Sequence, residues 1–328
     1  MKHKLHAIVL GTGVSVFAGA SAAAQSGPAM MLAPWQPDQT VELRGEGFYT
    51  PTESDVTGAD VDLSIFDAQG RVRLDAASSY DPTLGFSFTQ FNLGTTDAAL
   101  PDRLVDLSIG FGGSFGAIDL GETLGGAWQF GYTVGLGYAG TAPFNDGHAW
   151  YGKATVYGVK PIDKDTRWLV ALDYDGHRAF LPDVPLPAVT YFGRLSETVT
   201  YGLGFPFSSL RYTPNDRWTV ELRSAVFISF TGKVSYKVSD RLSLFASYVR
   251  RNDVFVTSGL PDNRRLLFSQ ERAELGLRYE LANATALTVA GGYAFGQEFD
   301  VGYDVRDPAG LRDLDDSGYI RAGIELRF

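Results

Sequence analysis

The feature that most constrains this chain is a strict alternation of apolar and polar residues, renewed in one segment after another. In 319–328, Ile320, Ala322, Ile324, Leu326 and Phe328 fall on one side, and Tyr319, Arg321, Gly323, Glu325 and Arg327 on the other. In 272–281, Ala273, Leu275, Leu277, Tyr279 and Leu281 alternate with Arg272, Glu274, Gly276, Arg278 and Glu280. Segments 128–138 and 286–296 repeat the pattern with Gly, Ala, Thr and Gln on the second face. A period of two means a β-strand with one face in an apolar medium and the other in a polar or close-packed one. Similar segments recur at 41–50, 60–67, 71–80, 104–116, 148–159, 166–176, 198–212, 216–223, 229–238 and 241–250. A tilted membrane-spanning strand needs about 9–11 residues. The expected fold is therefore all-β: an antiparallel up-and-down transmembrane barrel of 14 strands, or 12 if 41–50 and 60–67 do not span.

The connections support that reading because their lengths alternate. Ser239-Asp240, Ala282-Asn283-Ala284, Pro214-Asn215-Asp216 and Ala68-Gln69-Gly70 read as short turns. Between them lie the long stretches 81–103, 177–197, 251–267 and 297–318. Bacterial barrels have short periplasmic turns and longer outer loops. With the C-terminus in the periplasm, the long stretches all fall outside and the first strand also starts from the periplasm. The register is least regular at 223–230, which is apolar for an outer loop.

The N-terminus names the compartment. Lys2 and Lys4 precede a short apolar run at 7–19, and Ser21-Ala22-Ala23-Ala24 supplies small residues before Gln25. That layout is a secretory signal peptide over 1–24. A transmembrane anchor needs about 20 apolar residues, and this run is broken by Gly11, Thr12, Gly13 and Ser15. Residues 25–40 lack periodicity and read as a periplasmic tail, leaving 41–328 as the barrel. Cysteine is absent, which excludes disulfides, thiolate metal sites and a cysteine nucleophile. A net charge of −10 without basic runs is unsuited to nucleic acid.

A soluble sandwich also alternates, but three features favour a membrane. Several polar faces are dominated by Gly, Ala, Ser and Thr. Aromatics sit near segment ends (Trp128, Tyr138, Trp150, Trp168, Trp218, Tyr248, Tyr279, Tyr293, Tyr319) as in interfacial girdles. The chain closes on Gly323-Ile324-Glu325-Leu326-Arg327-Phe328. This ending resembles the C-terminal assembly signal of outer-membrane barrels, carried here by Gly323, Ile324, Leu326 and Phe328. The resemblance implies the outer membrane of a Gram-negative-type bacterium, with the barrel assembly machinery, outer-membrane lipid and lipopolysaccharide as partners. Leu104-Val105-Asp106-Leu107-Ser108-Ile109-Gly110, Leu181-Pro182, Leu186-Pro187, Gly204-Phe205-Pro206 with Arg211-Tyr212, and Gly291-Gly292-Tyr293 also resemble an uncharacterised outer-membrane β-barrel family over about 60–328. That likeness implies no substrate or activity.

Little in the sequence points to catalysis, a cofactor or a metal. Beyond the leader the histidines are His148 and His177, both read as solvated loop residues, and no serine motif of the G-x-S-x-G type accompanies them. Asp313-Leu314-Asp315-Asp316-Ser317-Gly318 begins like a calcium loop, but Ile324 stands where the bidentate glutamate belongs, so it reads as part of an acidic outer loop. The charges within strands say more. Glu221, Arg223, Lys233, Lys237, Arg272, Glu274, Arg278, Glu280, Arg321, Glu325 and Arg327 all fall on polar faces. A charge on the lipid face costs about 2–4 kcal/mol near the midplane, so these are expected to line the lumen. Two arrangements fit: a salt-bridge ladder that fills the interior, or a water-filled pore whose field selects solutes. The function expected first is a passive channel for small solutes, then a filled structural or adhesion barrel, then an outer-membrane lipid hydrolase.

Overall fold

The computed structural model describes residues 35, 39–53, 58, 60–75, 78, 80–225, 229–257, 259–261, 263–282 and 284–328. The segment expected as a signal peptide, 1–24, and nearly all of the expected tail, 25–40, lie outside the described residues. Strands β1 (Val41–Glu53), β2 (Asp60–Arg73), β3 (Thr83–Thr95), β4 (Arg103–Asp119), β5 (Ala127–Gly140) and β6 (Trp150–Pro161) follow one another antiparallel. They continue into β7 (Arg167–Asp175), β8 (Leu186–Ser196), β9 (Val199–Phe205), β10 (Phe207–Tyr212), β11 (Trp218–Ala225) and β12 (Ser229–Lys237). The last are β13 (Leu242–Phe255), β14 (Arg265–Ala282), β15 (Thr285–Gly302), β16 (Ala309–Leu314) and β17 (Ser317–Arg327). β16 and β17 both pair with β15, at Gln297–Val301 and Thr285–Ala294 respectively, so together they form one barrel strand interrupted at Asp315-Asp316. β17 then pairs with β1 and closes the sheet. The result is a closed antiparallel barrel of 16 strands, not 14 or 12. Phe328 seals the join, its N–H donating to the Val41 carbonyl at 2.9 Å while Val41 N–H donates back at 3.0 Å. The start of β1 and Phe328 thus lie at one rim, called here the terminal end; the opposite rim is the loop end.

Three expectations about strand number are corrected. The stretch 177–197 is not a loop, because it contains β8. Segment 198–212 is not one strand but the hairpin β9–β10, with Thr200 opposite Arg211. Ala68-Gln69-Gly70 is not a turn but lies within β2, paired with Gly45, Arg44 and Leu43, and the next strand is β3 rather than 71–80. The supposed acidic loop 297–318 is likewise mostly strand, with only 303–308 left as connection. Within the irregular stretch 223–230, Arg223–Ala225 ends β11, Ser229 and Phe230 begin β12, and the centre lies outside the described residues.

The physical cause of the β2 and β3 errors is a reversal of phase within single strands. In β2, Val61, Leu63 and Ile65 are buried inside while Asp60, Asp62 and Ser64 face outward; past Ile65 the apolar residues Phe66, Ala68 and Val72 face outward and Asp67, Gln69 and Arg71 point in. In β3, Leu84, Phe86 and Phe88 face out beside inward Ser87 and Thr89, but Phe91 and Leu93 are inward beside outward Gln90 and Asn92. In β14 the inward face begins with Leu266 and Phe268 and continues as Gln270, Arg272 and Glu274, while the outward face changes from Ser269 and Glu271 to Leu275, Leu277 and Tyr279. A residue pair that alternates correctly changes medium, not side.

The lower part of the wall is therefore apolar outside and polar inside. Leu275 is 72% exposed and Ile320 67% exposed there, with Leu277, Val289, Val134, Leu136, Ile109, Val156, Leu172 and Leu203 also outward. On β13–β15 this belt runs from Tyr279 to the level of Ala273, where Tyr248 and Tyr293 sit on the neighbouring strands. Six residues along a strand is about 20 Å, near the height of a lipid-facing band. Tyr248 donates its hydroxyl proton to Glu271 at 2.5 Å, and Tyr49 to Asp62 at 2.8 Å, where apolar gives way to polar.

Above the belt, the loop-end parts of β1–β3 and β13–β16 have the polarity of a water-soluble protein. Phe48, Leu63, Ile65, Phe91, Leu93, Leu104, Phe255, Leu266, Phe268, Phe299 and Leu314 form one buried apolar cluster. Phe91 lies edge-on to Phe255 at 5.2 Å and to Phe268 at 5.1 Å, so opposite sides of the barrel meet. Val256 N–H donates to the Ala139 carbonyl at 3.1 Å, pinning the end of β13 to β5. We call this part the cap. It is tall because β14 and β15 have 18 residues each, whereas β9–β12 have only 6–9 and stop below it.

Candidate functional site

Strand parity puts most of the expected charges on the enclosed face. Arg272, Glu274 and Arg321 are buried while their chain neighbours Ala273, Leu275 and Ile320 face out, all three exposed. Period two dictates this, since a strand offers no third direction.

The structure brings most of them together, in two groups. Near the terminal end, Arg278 donates to Glu325 at 2.6 Å, Arg327 pairs with Glu325 and lies 3.8 Å from Glu42, and Arg71 reaches the same Glu42 at 2.9 Å. This chain runs along the wall over β14, β17, β1 and β2, as the ladder reading expects. Higher up, Arg321 donates to both Glu274 oxygens, at 2.6 and 3.0 Å, and to Glu46 at 3.2 Å. Glu274 also accepts from Ser247 at 2.7 Å and from the Tyr319 hydroxyl at 2.9 Å. Glu46 takes a further bond from Arg44 at 2.9 Å. On the other wall, Glu221 stands opposite Lys233 in register, yet its bonds go to Arg211 at 3.2 Å and Arg223 at 3.3 Å. Two of the expected residues are not part of these groups: Lys237 pairs with Asp240 at 2.8 Å in an exposed turn, and Glu280, half exposed, lies 4.0 Å from Arg278 at the rim.

Two cations stand apart. Arg272 is 3% exposed, its Nε has no hydrogen-bond partner among the described residues, and its guanidinium lies 5.1 Å over Phe48 and 5.9 Å over Tyr319. Lys233 places its ammonium 4.2 Å over the Phe245 ring. Aromatic faces attract cations but do not replace a counter-ion in an enclosed site.

Sequence reasoning missed Glu42, Arg44 and Glu46, although they alternate visibly at the start of β1. It also missed Arg251, which spans the interior at the base of the cap. Its guanidinium reaches Asp67 at 3.1 Å and Asp253 at 2.6 and 2.9 Å. No local signal reveals that pair, because Asp67 and Arg251 lie 184 residues apart.

The histidines separate. His148 is exposed beside Asp146, as expected. His177 is not solvated: it is buried, stacked on Tyr151 at 4.6 Å, with Nε2 2.6 Å from the Val254 carbonyl. Burial lowers its pKa below the ordinary histidine value. Its loop is further tied to the β15–β16 connection by Val305 N–H to Ala179 carbonyl and Leu181 N–H to Asp304, both 3.0 Å. Asp313 and Leu314 end β16 and Ser317 begins β17, and no metal-binding group of three or more ligands occurs among the described residues. Of the C-terminal motif, Ile324 and Leu326 face outward opposite Gly45 and Leu43. A Cβ on Gly323 would stand 3.2 Å from the Gly45 carbonyl oxygen, so the close approach of β17 to β1 suits glycine there.

No family model matches the chain, and no curated protein matches it. Among solved structures it is similar to the Pseudomonas putida toluene transporter TodX, at 11% identity over 92% of each chain with a TM-score of 0.40. It is also similar to the Acinetobacter baumannii outer membrane protein Omp33, at 11% identity over 88% of this chain and 98% of that one, TM-score 0.34. A third is the beta domain of the Bordetella autotransporter Brka, at 10% identity over 88% of this chain and all of the other, TM-score 0.32.

Proposed function

We propose that the chain is exported by its signal peptide, inserted into the outer membrane of a Gram-negative-type bacterium, and there passes small solutes passively, without catalysing a reaction. The observation that carries this reading is the polarity of the closed wall, an outward apolar belt around an enclosed face of charged side chains. In water such a belt far exceeds the few hundred Å² of apolar patch that soluble proteins tolerate; in lipid it is required. Charged walls, with cations that meet only aromatic rings among the described residues, suit a path for solutes better than a finished core. The cap closes the loop end over β1–β6 and β13–β17 in this conformation, so passage requires the cap to part or a route beside it over the low wall of β9–β12. The terminal end faces the periplasm, and the motif ending in Phe328 serves assembly.

Purified protein in planar bilayers tests the reading: discrete conductance steps are expected. A barrel that folds, shown by heat-modifiable migration in gels, yet never conducts refutes it. The apolar core of the cap favours a second reading, a filled structural barrel, and the same absence of conductance would establish that reading instead.

A further inference from the structure

We propose that the β7–β8 loop, residues 176–185, is a latch that holds the overhanging ends of β13–β15 across the barrel mouth, and that protonation of His177 releases it. The consequence for passage rests on the channel reading; the latch does not.

β7 and β15 lie on opposite sides of the 16-stranded barrel, yet the connections that follow them meet. Val305 N–H donates to the Ala179 carbonyl and Leu181 N–H to Asp304, both at 3.0 Å. The Tyr303 hydroxyl donates to the Pro182 carbonyl at 3.2 Å, and the Arg306 guanidinium lies 5.3 Å over Phe180. Ala179 packs with Val254 and Leu267, and Val305 lies against them, in a small apolar cluster separate from that of the cap. A seam with so little buried apolar surface can open while the barrel stays folded. Leu181 (φ 49°) and Asp183 (φ 60°) hold left-handed backbone that non-glycine residues rarely adopt, so docking sets the loop's shape more than local preference does.

His177 places its ring in this seam. Nε2 lies 2.6 Å from the Val254 carbonyl, so the neutral ring carries its proton there and donates it. Asp106, bonded to the Tyr151 hydroxyl, and Asp175, 3.6 Å from Lys153, attract a second proton; Lys153 and Arg265 repel it. On the loop and the connection facing it, Asp183 accepts from Tyr174 at 3.0 Å and Asp304 pairs with Arg306 at 2.6 Å. Burial outweighs the two carboxylates and holds the ring below the ordinary histidine value. Once released into water, the ring titrates near 6.5. Opening therefore takes up a proton, and each pH unit below about 6.5 favours the open seam by up to about ten-fold.

The chain has no cysteine, so Val254→Cys, buried with Ala179, gives a single thiol that reacts when the seam opens. Maleimide labelling of the folded barrel in detergent is divided by the rate for the urea-unfolded chain at the same pH, which cancels the thiol's own titration. From about pH 7.5 to about pH 5.5 the relative rate should rise about ten-fold, and adding His177→Gln should remove the rise. If His177→Gln fails the gel shift, His177→Phe, which cannot titrate either, takes its place. In bilayers, oxidised Ala179→Cys with Val305→Cys should abolish an acid rise in conductance, and a reductant should restore it. A relative rate that does not rise in acid, or that rises equally without the histidine, overturns the latch. A conductance rise that survives the oxidised pair overturns it too. Acid-dependent labelling without any conductance would keep the latch and refute the channel.

Discussion

Arg251→Met is the sharpest perturbation of the cap. Arg251 is 1% exposed, bonded to Asp67 and doubly to Asp253, with its guanidinium 5.5 Å from the Phe91 ring. Methionine keeps the bulk and removes the charge, leaving two buried carboxylates facing one another without a cation. Asp67 retains only the Thr89 hydroxyl at 2.7 Å as a described side-chain donor. Removing one partner of such a buried group costs about 3–5 kcal/mol. The expected result is a much lower urea midpoint for barrel unfolding in micelles, read by loss of the fast-migrating gel form. The double substitution Arg251→Met with Asp67→Asn should recover about 0.5–3 kcal/mol of that loss, because it removes one of the stranded charges. In bilayers the single variant should conduct more often than the parent, since this pair ties β13 across to β2. A midpoint within about 0.5 kcal/mol of the parent, the range of ordinary surface changes, would refute the claim that the interior is clamped there.

Other outcomes follow from the same reasoning. Phe268→Ala empties the centre of the cap cluster, where Phe91 and Phe299 pack at 5.1 and 4.8 Å; it should lower stability by about 3–5 kcal/mol in the same urea assay. Leu275→Arg in the outward belt should cost about 2–4 kcal/mol on refolding into vesicles, whereas Ser64→Arg, outward on β2 on the cap side of the reversal at Ile65, should be nearly neutral; equal costs would remove the proposed lipid boundary. His177 stays neutral in the fold because burial lowers its pKa, while in the unfolded chain it titrates near 6.5. Below that pH the unfolded state therefore takes up a proton that the folded state does not, so stability falls as pH drops through 6.5. His177→Gln should flatten that acid slope in urea titrations from pH 7 to 5; an unchanged slope would mean that the histidine is not the group responsible.

Much of the wall could be read directly. Wherever a strand is apolar on its outer face along its whole regular stretch, as at 128–138 and 319–328, period and side were both apparent, and so was the inward placement of Arg272, Glu274, Arg278, Arg321, Glu325 and Arg327. The reading failed where one strand crosses two media. At Ile65–Phe66 the apolar parity changes while the backbone runs on, which mimics a turn and a new strand. β8 was lost because Pro187, Gly193 and a polar end at Arg194-Leu195-Ser196 blur the alternation. The hairpin at Pro206 was lost because the two arms are only 7 and 6 residues long.

By itself, then, the sequence determined which residues share a face, that the elements are strands, and that the first strand starts at the rim where the last one ends, because all three depend on local period and parity. Only the tertiary structure decided the 16 strands, the inversion of polarity that builds a cap on the barrel, and the partners of the enclosed charges. Period two states which residues point the same way. It does not state what medium lies there, and Arg251 finds Asp67, or Phe91 finds Phe268, only after closure of the sheet brings distant strands face to face.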